Sequence, residues 1–312
     1  MNGAEPGELA ELAIAVAVRA GRMLTSQRPP GGPHVVGTKS SPTDVVTEMD
    51  RASERLIIDR IRDVRPGDAF LSEESGAVRP DTAPPDTVRP DTVRPGAARL
   101  GTGTQATPAG ALVRWIIDPI DGTVNYLYGL PDWAVSIAAE RSGRVVAGVV
   151  YVPGRGELFS AVRGGGAWLR RESAEGSHAG TEAARPVHCN SGVALSEALV
   201  ATGFGYEAAR RVVQGEVVAR LLPRVRDIRR AGSAAVDLCA VAAGRVDAFY
   251  ERGINYWDHA AAGLIAEEAG ATIAGLNGKV AGPDLLIAAG PGLFARLHDL
   301  LAALDPERDA PT

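Results

Sequence analysis

Apolar residues recur along the chain in two patterns, at helical spacing and in short strand-like runs. Helical spacing extends from Glu8 to Leu24 and from Asp50 to about Val64, and a proline–glycine cluster follows each of these predicted helices. Short apolar runs separated by glycine turns dominate residues 112–170, which predicts an antiparallel meander. Its strands are predicted at Leu112–Ile117, Trp133–Arg141, Val145–Val152, Glu157–Val162 and Ala167–Arg170, after a short first strand at Ala69–Leu71.

Strand-like and helix-like segments alternate in the second half of the chain. Strands are predicted at Leu199–Thr202, Asp227–Arg230, Val246–Tyr250, Ala271–Ala274 and Leu285–Ala288, and helices at Arg210–Leu222, Ser233–Ala243, Asp258–Ala269 and Gly292–Leu304. This order of elements predicts a layered α/β (α+β) protein with two sub-domains. We expect the first, residues 1–188, to contain the antiparallel sheet, and the second to comprise residues 189–312.

A proline-rich segment at about residues 77–110 interrupts the apolar pattern. Near-copies of one pentapeptide begin at Val78, Val88 and Val93, and aromatic residues are absent. The apolar content is too low to offset the entropy lost on ordering the chain. We therefore predict a flexible insertion in a surface loop, since lengthening such a loop is inexpensive. A lid over a functional site is the alternative.

Charge and cysteine content narrow the class of protein. The 312 residues include 33 basic and 38 acidic side chains, a net charge of −5 without a basic stripe, so no nucleic-acid partner is expected. The N-terminus lacks the basic region of a signal peptide, and the apolar run at Leu12–Val18 is too short to cross a bilayer. We expect a soluble, cytoplasmic protein with no membrane partner. Cys189 and Cys239 are interpreted as reduced thiols, with a disulfide as the less favoured alternative.

The segment Trp115–Thr123 carries the most informative chemistry. An apolar strand ends in Asp118 and Asp121, and a glycine and a threonine follow. Pro119 fixes its own φ and bends the chain, so that both carboxylates can point to one side. Two such carboxylates repel each other and need a cation, and hard oxygen ligands suit Mg²⁺. The alternative is ordinary turn chemistry, which favours the same residue types.

Two further segments place acids at the ends of predicted elements. Glu73 and Glu74 follow the first short strand, and Asp258 lies where a helix begins. Taken singly, the adjacent glutamates are typical of a solvated strand end, and Asp258 is typical of a helix N-cap. Three separate segments that all present acids in this way are the pattern of an assembled metal site.

These segments together resemble the inositol monophosphatase family. The resemblance rests on Asp-Pro-Ile-Asp-Gly-Thr at residues 118–123, on Glu-Glu-Ser at residues 73–75 and on Trp-Asp at residues 257–258. It covers nearly the whole chain, apart from the termini and an insertion longer than the family norm. The implied fold is the layered αβαβα sandwich of the inositol monophosphatase and fructose-1,6-bisphosphatase type. Further matching positions are Lys39, Asp44, Thr47, Asp50, Thr202–Gly205 and Arg230–Ala235.

The resemblance implies two or three bound Mg²⁺ ions. Glu73, Asp118 and the backbone carbonyl of Ile120 are the implied ligands of the first ion. Asp118, Asp121 and Asp258 are the implied ligands of the second, so that Asp118 bridges the two. A weaker third ion is implied near Glu73. Paired ions of this kind stabilise the attacking and leaving oxygens of an in-line displacement.

The resemblance also implies which residues surround the substrate. Thr123, oriented by Asp44, is the implied group that helps to deprotonate the attacking water, with Glu74 as an assistant. The phosphate is expected to lie against the backbone amides at the start of the following helix. The implied substrate-binding residues are Gly122, Thr123, Gly232, Ser233, Ala234 and Glu251.

Several of these positions also have plainer interpretations. Glu251 is alternatively a solvated acid at a strand end, and residues 232–234 are alternatively helix-entry residues. Asp50 is interpreted as a helix N-cap. Lys39 either balances the charge of the acids or is a solvated loop lysine.

These expectations describe a Mg²⁺-dependent, lithium-sensitive phosphomonoesterase that forms a homodimer. Its expected substrate is inositol-1-phosphate or a similar small polyol phosphate, hydrolysed by a metal-activated water. Alternatives with the same chemistry are histidinol-phosphate, fructose-1,6-bisphosphate and 3′-phosphoadenosine 5′-phosphate phosphatases. A function of another class is a non-enzymatic association with the transcription machinery, as the resemblance implies for some bacterial relatives.

Overall fold

A computed structural model describes residues 4–39, 41–42, 44–78, 113–172 and 182–309. The helices are α1 (Pro6–Ser26), α2 (Glu48–Val64), α3 (Thr123–Tyr128), α4 (Ala208–Leu221), α5 (Ala234–Ala242), α6 (Tyr256–Glu268) and α7 (Leu293–Leu304). The first nine strands are β1 (Val35–Thr38), β2 (Val45–Thr47), β3 (Ala69–Ser72), β4 (Gly76–Val78), β5 (Arg114–Asp121), β6 (Ala134–Arg141), β7 (Arg144–Val152), β8 (Glu157–Val162) and β9 (Ala167–Arg171). The others are β10 (Arg185–Val187), β11 (Leu199–Thr202), β12 (Asp227–Arg229), β13 (Ala248–Glu251), β14 (Thr272–Ala274) and β15 (Leu286–Ala289).

The strands form two large sheets and one small hairpin. The larger sheet has eight strands in the order β10-β9-β8-β7-β6-β5-β3-β4. Its run from β5 to β9 is antiparallel throughout, which confirms the predicted meander. The second sheet has five strands in the order β12-β11-β13-β15-β14, and β1 pairs with β2.

Alternate side chains of each sheet enter different hydrophobic layers. In β5, Trp115 and Ile117 pack with α1 and α2, whereas Ile116 faces the opposite layer with α5 and α6. Phe249 of β13 packs against α5 and α6 from the other side, and its neighbour Tyr250 faces α4 and α7. The layers therefore run α1/α2, eight-stranded sheet, α5/α6, five-stranded sheet and α4/α7. This is the expected αβαβα sandwich.

The structure corrects two boundaries that matter for the site. Strand β5 does not end before the first aspartate but continues through residues 118–121. Helix α2 begins at Glu48, and its N-cap is Thr47. The interpretation of Asp50 as the N-cap is wrong, because Asp50 lies at the third helical position and its Oδ2 accepts the Thr47 N–H at 2.7 Å. This reciprocal arrangement is a capping box.

Three further expectations concern the proline-rich insertion, the two cysteines and membrane-spanning helices. The proline-rich insertion lies almost entirely outside the described residues, and the lid alternative lies there with it. Cys189 and Cys239 are both free thiols. Among the residues that the structure describes, no helix is long and apolar enough to span a membrane.

Candidate metal centre and active site

The parallel pairing of β3 with β5 places Glu73 beside Asp118. Ser72, the last residue of β3, pairs with Ile117 of β5, so the next residues along the chain, Glu73 and Asp118, lie side by side. The backbone N–H of Glu73 donates to the carbonyl of Ile117 at 3.2 Å and extends this register. Strand register thus brings together two carboxylates that are distant in sequence.

A bulge in β5 brings Asp121 to the same side as Asp118. Residues three apart in a regular strand point to opposite faces. Here Asp118 pairs with Ser136 and Asp121 pairs with Ala134, so one extra residue is inserted in β5 relative to β6. The extra residue restores a common side for the two carboxylates, and both line the same cavity.

Helix α6 supplies Asp258 from its first turn. The N-cap of this helix is Asn255, so the alternative of Asp258 as the N-cap is not what the structure shows. Asp258 lies at the third helical position, where its Oδ2 accepts the Asn255 N–H at 2.6 Å. The capping box fixes the side chain with one oxygen and leaves the other for the cavity.

An open cavity of about 330 Å³ contains most of the predicted site, which is a volume suited to a small molecule. No histidine or cysteine lines it among the described residues, so its side-chain donors are mainly hard oxygens. Glu74 is the one predicted site residue outside the cavity lining. The predicted residues that line it are Asp44, Glu73, Asp118, Ile120, Asp121, Gly122, Thr123, Gly232, Ser233, Ala234, Glu251 and Asp258.

Burial raises the pKa of every acid at the centre, and repulsion by other carboxylates adds to it at Glu73, Asp118 and Asp258. The pKa values of Asp118 and Asp258 are raised well above their usual range, first by burial and then by neighbouring carboxylates. Burial raises the pKa of Asp121 to about 6, although hydrogen bonds oppose it. Burial raises the pKa of Glu73 to about 7, against the ion pair with Lys39. Such a cluster favours a bound cation, because a cation permits all four groups to ionise.

The hydrogen bonds of these acids leave oxygens for a cation. Asp118 Oδ1 accepts the Ile120 N–H at 3.1 Å, and neither Asp118 Oδ2 nor Asp258 Oδ1 accepts a hydrogen bond from the described residues. Glu73 Oε2 is buried and has no partner within the described ranges. In the described part of the chain, no three such donors already form a compact metal-binding group, so binding requires the side chains to close around the ion. The donor set fits Mg²⁺.

Lys39 lies between the two adjacent glutamates. Its Nζ is 2.8 Å from Glu73 Oε1 and 2.5 Å from Glu74 Oε1. Burial alone would lower the pKa of Lys39, but the two carboxylates raise it, so the ammonium stays charged. Of the two interpretations of Lys39, the structure therefore favours the charge that balances the acids. Arg210 and Arg230 also line the cavity, but together with Lys39 they are outnumbered by its acids, so negative charge remains uncompensated.

The hydroxyl of Thr123 pairs with Asp50 rather than with Asp44, which corrects the sequence expectation. Thr123 Oγ1 is 3.1 Å from Asp50 Oδ1 and 3.1 Å from the carbonyl oxygen of Ile120. Asp50 is fully buried in the first turn of α2, and burial raises its pKa against the hydrogen bonds from Thr47. Asp44 lies before β2 and lines the cavity at another point.

The buried face of α2 carries two more polar residues that sequence analysis did not assign to the site. Ser53 donates its hydroxyl to the carbonyl of Pro119, inside the bulge, at 3.1 Å. Glu54 is 3% exposed; its Oε2 accepts the Glu74 N–H at 2.9 Å and its Oε1 accepts the Ser75 hydroxyl. Their helical spacing could have indicated this, because both residues lie on the same face of α2 as its buried isoleucines.

The side of the cavity that is predicted to bind substrate is formed by α5, β13 and the loop after β11. Ser233 is the N-cap of α5, and its hydroxyl is 2.6 Å from Asp121 Oδ2, which also accepts the Ala235 N–H at 2.6 Å. Burial raises the pKa of Glu251 to about 8, and neighbouring acids add to the effect. The side chain of Glu251 forms no hydrogen bond or ion pair with the described residues and packs directly over Gly203. Its carboxyl group is therefore open to a ligand.

Comparison with known proteins identifies the family. The model of the inositol monophosphatase family matches residues 5–307. The chain belongs to the inositol monophosphatase family. It is accordingly a phosphoric monoester hydrolase, in a family of metal-dependent phosphatases that act on small phosphorylated substrates.

Named relatives and solved structures agree with this assignment. The inositol-1-monophosphatase SuhB of Mycobacterium tuberculosis is 43% identical over 296 residues, which is 95% of this chain and 90% of the relative. Nus factor SuhB of Escherichia coli K12 is 35% identical over 268 residues, 86% of this chain and 85% of the relative. Solved SuhB structures from M. tuberculosis and Bartonella henselae match with TM-scores of 0.72 and 0.74, at 36% and 30% identity. They cover 97% and 94% of this chain, and 99% and 98% of their own.

Proposed function

We propose that this family member is a Mg²⁺-dependent phosphomonoesterase that hydrolyses inositol-1-phosphate or a similar small polyol phosphate. The observation that carries the proposal is the convergence of Glu73, Asp118, Asp121 and Asp258 in one cavity with raised pKa values. The cavity also contains the open carboxyl group of Glu251. One half of the cavity is thus suited to cations and phosphate, and the other to hydroxyl groups.

The acids divide between two magnesium positions. Glu73, Asp118 and the Ile120 carbonyl would hold one ion, and Asp118, Asp121 and Asp258 would hold the other, with a third weaker position near Glu73. Bound magnesium supplies positive charge to the phosphate and the leaving oxygen and makes an attacking water more acidic. The carboxylates of this chain hold that charge in a partly buried place, where it acts strongly on the substrate.

Thr123 and Asp50 form the proton-handling pair in this proposal. Of its two acceptors, Asp50 Oδ1 and the Ile120 carbonyl, the Thr123 hydroxyl is proposed to donate its hydrogen to Asp50, which leaves an oxygen lone pair to accept a hydrogen bond from the attacking water. Asp50 is held by the Thr47 backbone N–H at 2.7 Å and by the Thr47 hydroxyl at 2.6 Å, so the pair is fixed before substrate binds. Glu74 is proposed as an assistant through its ion pair with Lys39.

Groups in both halves of the cavity are proposed to bind and orient the substrate. The amides of Gly122 and Thr123 are proposed to contact the phosphate. Gly122 adopts a left-handed conformation with φ of 92°, and a Cβ there would lie 3.0 Å from the Asp132 carbonyl oxygen, so only glycine fits this approach. Glu251 is proposed to accept hydrogen bonds from substrate hydroxyls, and the segment 232–234 is proposed to line the same half.

A substrate panel tests the proposal. Purified protein with Mg²⁺ is assayed for released phosphate on inositol-1-phosphate, histidinol-phosphate, fructose-1,6-bisphosphate and 3′-phosphoadenosine 5′-phosphate. We expect the highest kcat/KM on the inositol phosphate and inhibition by Li⁺. Activity confined to the nucleotide would refute the polyol assignment, and the absence of activity on the whole panel would refute the phosphatase proposal.

A non-enzymatic role is the rival of another class, motivated by the name of the E. coli relative. The Asp121→Asn variant separates the two functions, because it removes a proposed metal ligand while keeping the shape of the side chain. We expect loss of hydrolysis in a protein that still folds, as judged by circular dichroism. A cellular phenotype that survives this substitution would give the binding role precedence.

A homodimer is also proposed, and sedimentation of the purified protein tests it.

A further inference from the structure

Helix α2 braces the candidate metal centre from behind. Three polar residues of its buried face contact the two segments that carry the first proposed metal position. Asp50 and Ser53 hold the segment 118–123, and Glu54 holds the turn 73–75. A helix face that packs into a core is normally apolar, so these buried polar groups need an explanation.

We propose that Glu54 is a positioning residue that sets the affinity of the centre for divalent cations by fixing the turn that carries Glu73. The inference rests on the proposed function, in which Glu73 is a metal ligand. Glu54 itself does not line the cavity and is not proposed to touch the metal or the substrate. It acts through the backbone N–H of Glu74 and the hydroxyl of Ser75.

The chemistry of Glu54 favours positioning over a simple contribution to stability. Its carboxylate is 3% exposed and pairs with no cation in the described part of the chain; both of its contacts are neutral donors. Burying a carboxylate on neutral donors is expensive compared with an apolar side chain at the same position. Both donors belong to one turn, so the two acceptor oxygens fix that turn at two points. Groups that orient metal ligands in this way typically change metal affinity by 10- to 100-fold when they are removed.

The turn 73–75 connects β3 to β4, and the pairing of Ser72 with Gly76 holds its two ends but not the Glu73 side chain. Glu73 has only its N–H bond to Ile117 and its side-chain ion pair with Lys39 among the described contacts. The Lys39 ammonium competes with a cation for the same Glu73 carboxylate. A misplaced turn would therefore weaken the first proposed metal position without altering the Thr123–Asp50 pair.

Calorimetric titration of the metal-free protein with Mn²⁺, together with Mg²⁺ activation curves, tests the proposal. Glu54→Gln keeps the volume of the side chain, but its amide NH₂ group is itself a donor and cannot accept a hydrogen bond from one of the two donors of the turn. We expect about tenfold weaker Mn²⁺ binding and a similar rise in the Mg²⁺ concentration for half-maximal activity. At saturating Mg²⁺ the KM for substrate should return to the wild-type value. The matched control is Asp59→Asn on the exposed face of α2, which should change neither quantity.

The outcomes separate this inference from the proposed function. A wild-type protein that hydrolyses phosphomonoesters, with a Glu54→Gln variant that binds Mn²⁺ as tightly as the wild type, would overturn the inference alone. A variant with a lower melting temperature but unchanged Mn²⁺ affinity would show a purely structural role and also overturn it. Should Glu54→Gln fail to fold, Ser75→Ala removes one donor of the same turn. It should weaken Mn²⁺ binding by a few-fold, and unchanged affinity in Ser75→Ala would again contradict the inference.

Discussion

At the scale of single residues, the proposed proton transfer depends on which acid contacts the Thr123 hydroxyl. Both Asp44 and Asp50 lie in the stretch that follows Lys39, and the sequence does not distinguish their reach. The structure does, because the capping box of α2 fixes Asp50 at the third helical position, where its free oxygen faces Thr123. The orientation of α2 about its axis therefore decides which acid contacts Thr123, and the local sequence pattern does not determine that orientation.

Removing the Thr123 hydroxyl should lower kcat much more than it changes KM. Thr123→Val keeps the branched shape of the side chain but removes the hydroxyl that is proposed to link the attacking water to Asp50. We expect kcat to fall by about 100-fold or more, as is typical when a proton-handling group is removed. Steady-state phosphate release at saturating Mg²⁺ measures it. Thr123→Ser is the matched control and should retain most of the activity. A Thr123→Val enzyme with wild-type kcat would contradict the proposed role.

Gly203 is predicted to be essential for the position of Glu251. A Cβ at residue 203 would lie 1.9 Å from Glu251 Oε2 and 2.2 Å from its Cδ, so the carboxyl group would have to move. Gly203→Ala should therefore raise the KM for a polyol phosphate about tenfold, which corresponds to a loss of about 1.4 kcal/mol of binding. Initial-rate kinetics on inositol-1-phosphate provide the measurement.

Gly205→Ala is the control for this substitution. A Cβ at residue 205 would meet the Cδ atom of Arg210 at 3.0 Å, and that flexible side chain can move aside. We expect a KM close to that of the wild type. Equal effects of the two substitutions would indicate a general disturbance of the loop rather than a displaced Glu251.

At the scale of elements, the residues after α7 brace the substrate half of the cavity from outside. Arg252, next to Glu251, donates to the carbonyls of Pro306 at 3.3 Å and Arg308 at 2.5 Å. Pro306 is buried and lines a small cavity together with Gly203. The segment 305–309 thus supports the wall that carries the open carboxyl group.

Truncation after Leu304 should weaken substrate binding and leave metal binding unchanged. Loss of the segment removes three acceptors of Arg252, the carbonyls of Pro306 and Arg308 and the carboxylate of Asp309, and uncovers the outer side of the wall. We expect KM to rise several-fold, while the Mg²⁺ activation midpoint stays constant, since α2 and the turn 73–75 lie elsewhere. The control is Glu216→Gln, which breaks one exposed ion pair with Arg308 that should contribute only about 0–1 kcal/mol. A shift in the Mg²⁺ midpoint on truncation would contradict this division of roles.

Most helices and strands could be predicted from the sequence because apolar periodicity is a local property. The helix predicted at Asp258–Ala269 and the strand predicted at Leu199–Thr202 agree with α6 and β11 to within two residues. The bulge in β5 could not be predicted, since it is defined only against the partner strand β6. The parallel pairing of β3 with β5 could not be predicted for the same reason, because its register depends on two segments that are distant in sequence.

At the scale of the whole molecule, the candidate site lies where the layers of the sandwich meet. Glu73, Asp118 and Asp121 come from the larger sheet, Asp258 from the helices between the sheets, and Glu251 from the second sheet. Resemblance to a family could indicate this set, because the motifs are conspicuous in sequence. The bracing contacts of α2 and of the C-terminal segment are not part of those motifs, and only the packed chain reveals them.

This assembly leaves the metal-free protein with a cluster of repelling carboxyl groups that makes its stability depend on pH. Burial raises the pKa of Asp121 to about 6 and of Glu73 to about 7, and the pKa values of Asp118 and Asp258 are also raised. Between the ordinary carboxyl pKa values and these raised values, the folded state binds more protons than the unfolded state. The contribution of these groups to the free energy of unfolding is therefore present at low pH and is lost as pH rises through about 6 to 7.

Magnesium should reverse this loss, because the ion replaces the protons. At a Mg²⁺ concentration of about a hundred times the dissociation constant, binding of one ion adds about 2.7 kcal/mol to the free energy of unfolding. For a chain of this size, that corresponds to a rise in melting temperature of roughly 5 °C. We expect this rise near pH 8 and a much smaller one near pH 5.5, where protons compete for the ligand oxygens. Thermal unfolding with and without Mg²⁺ at the two pH values measures the difference.

Asp118→Asn removes the central charge, so its metal-free form should melt higher than the wild type near pH 8 and respond little to Mg²⁺. An equal Mg²⁺ effect at both pH values, or an Asp118→Asn variant that melts lower without metal, would show that carboxylate repulsion does not govern the centre.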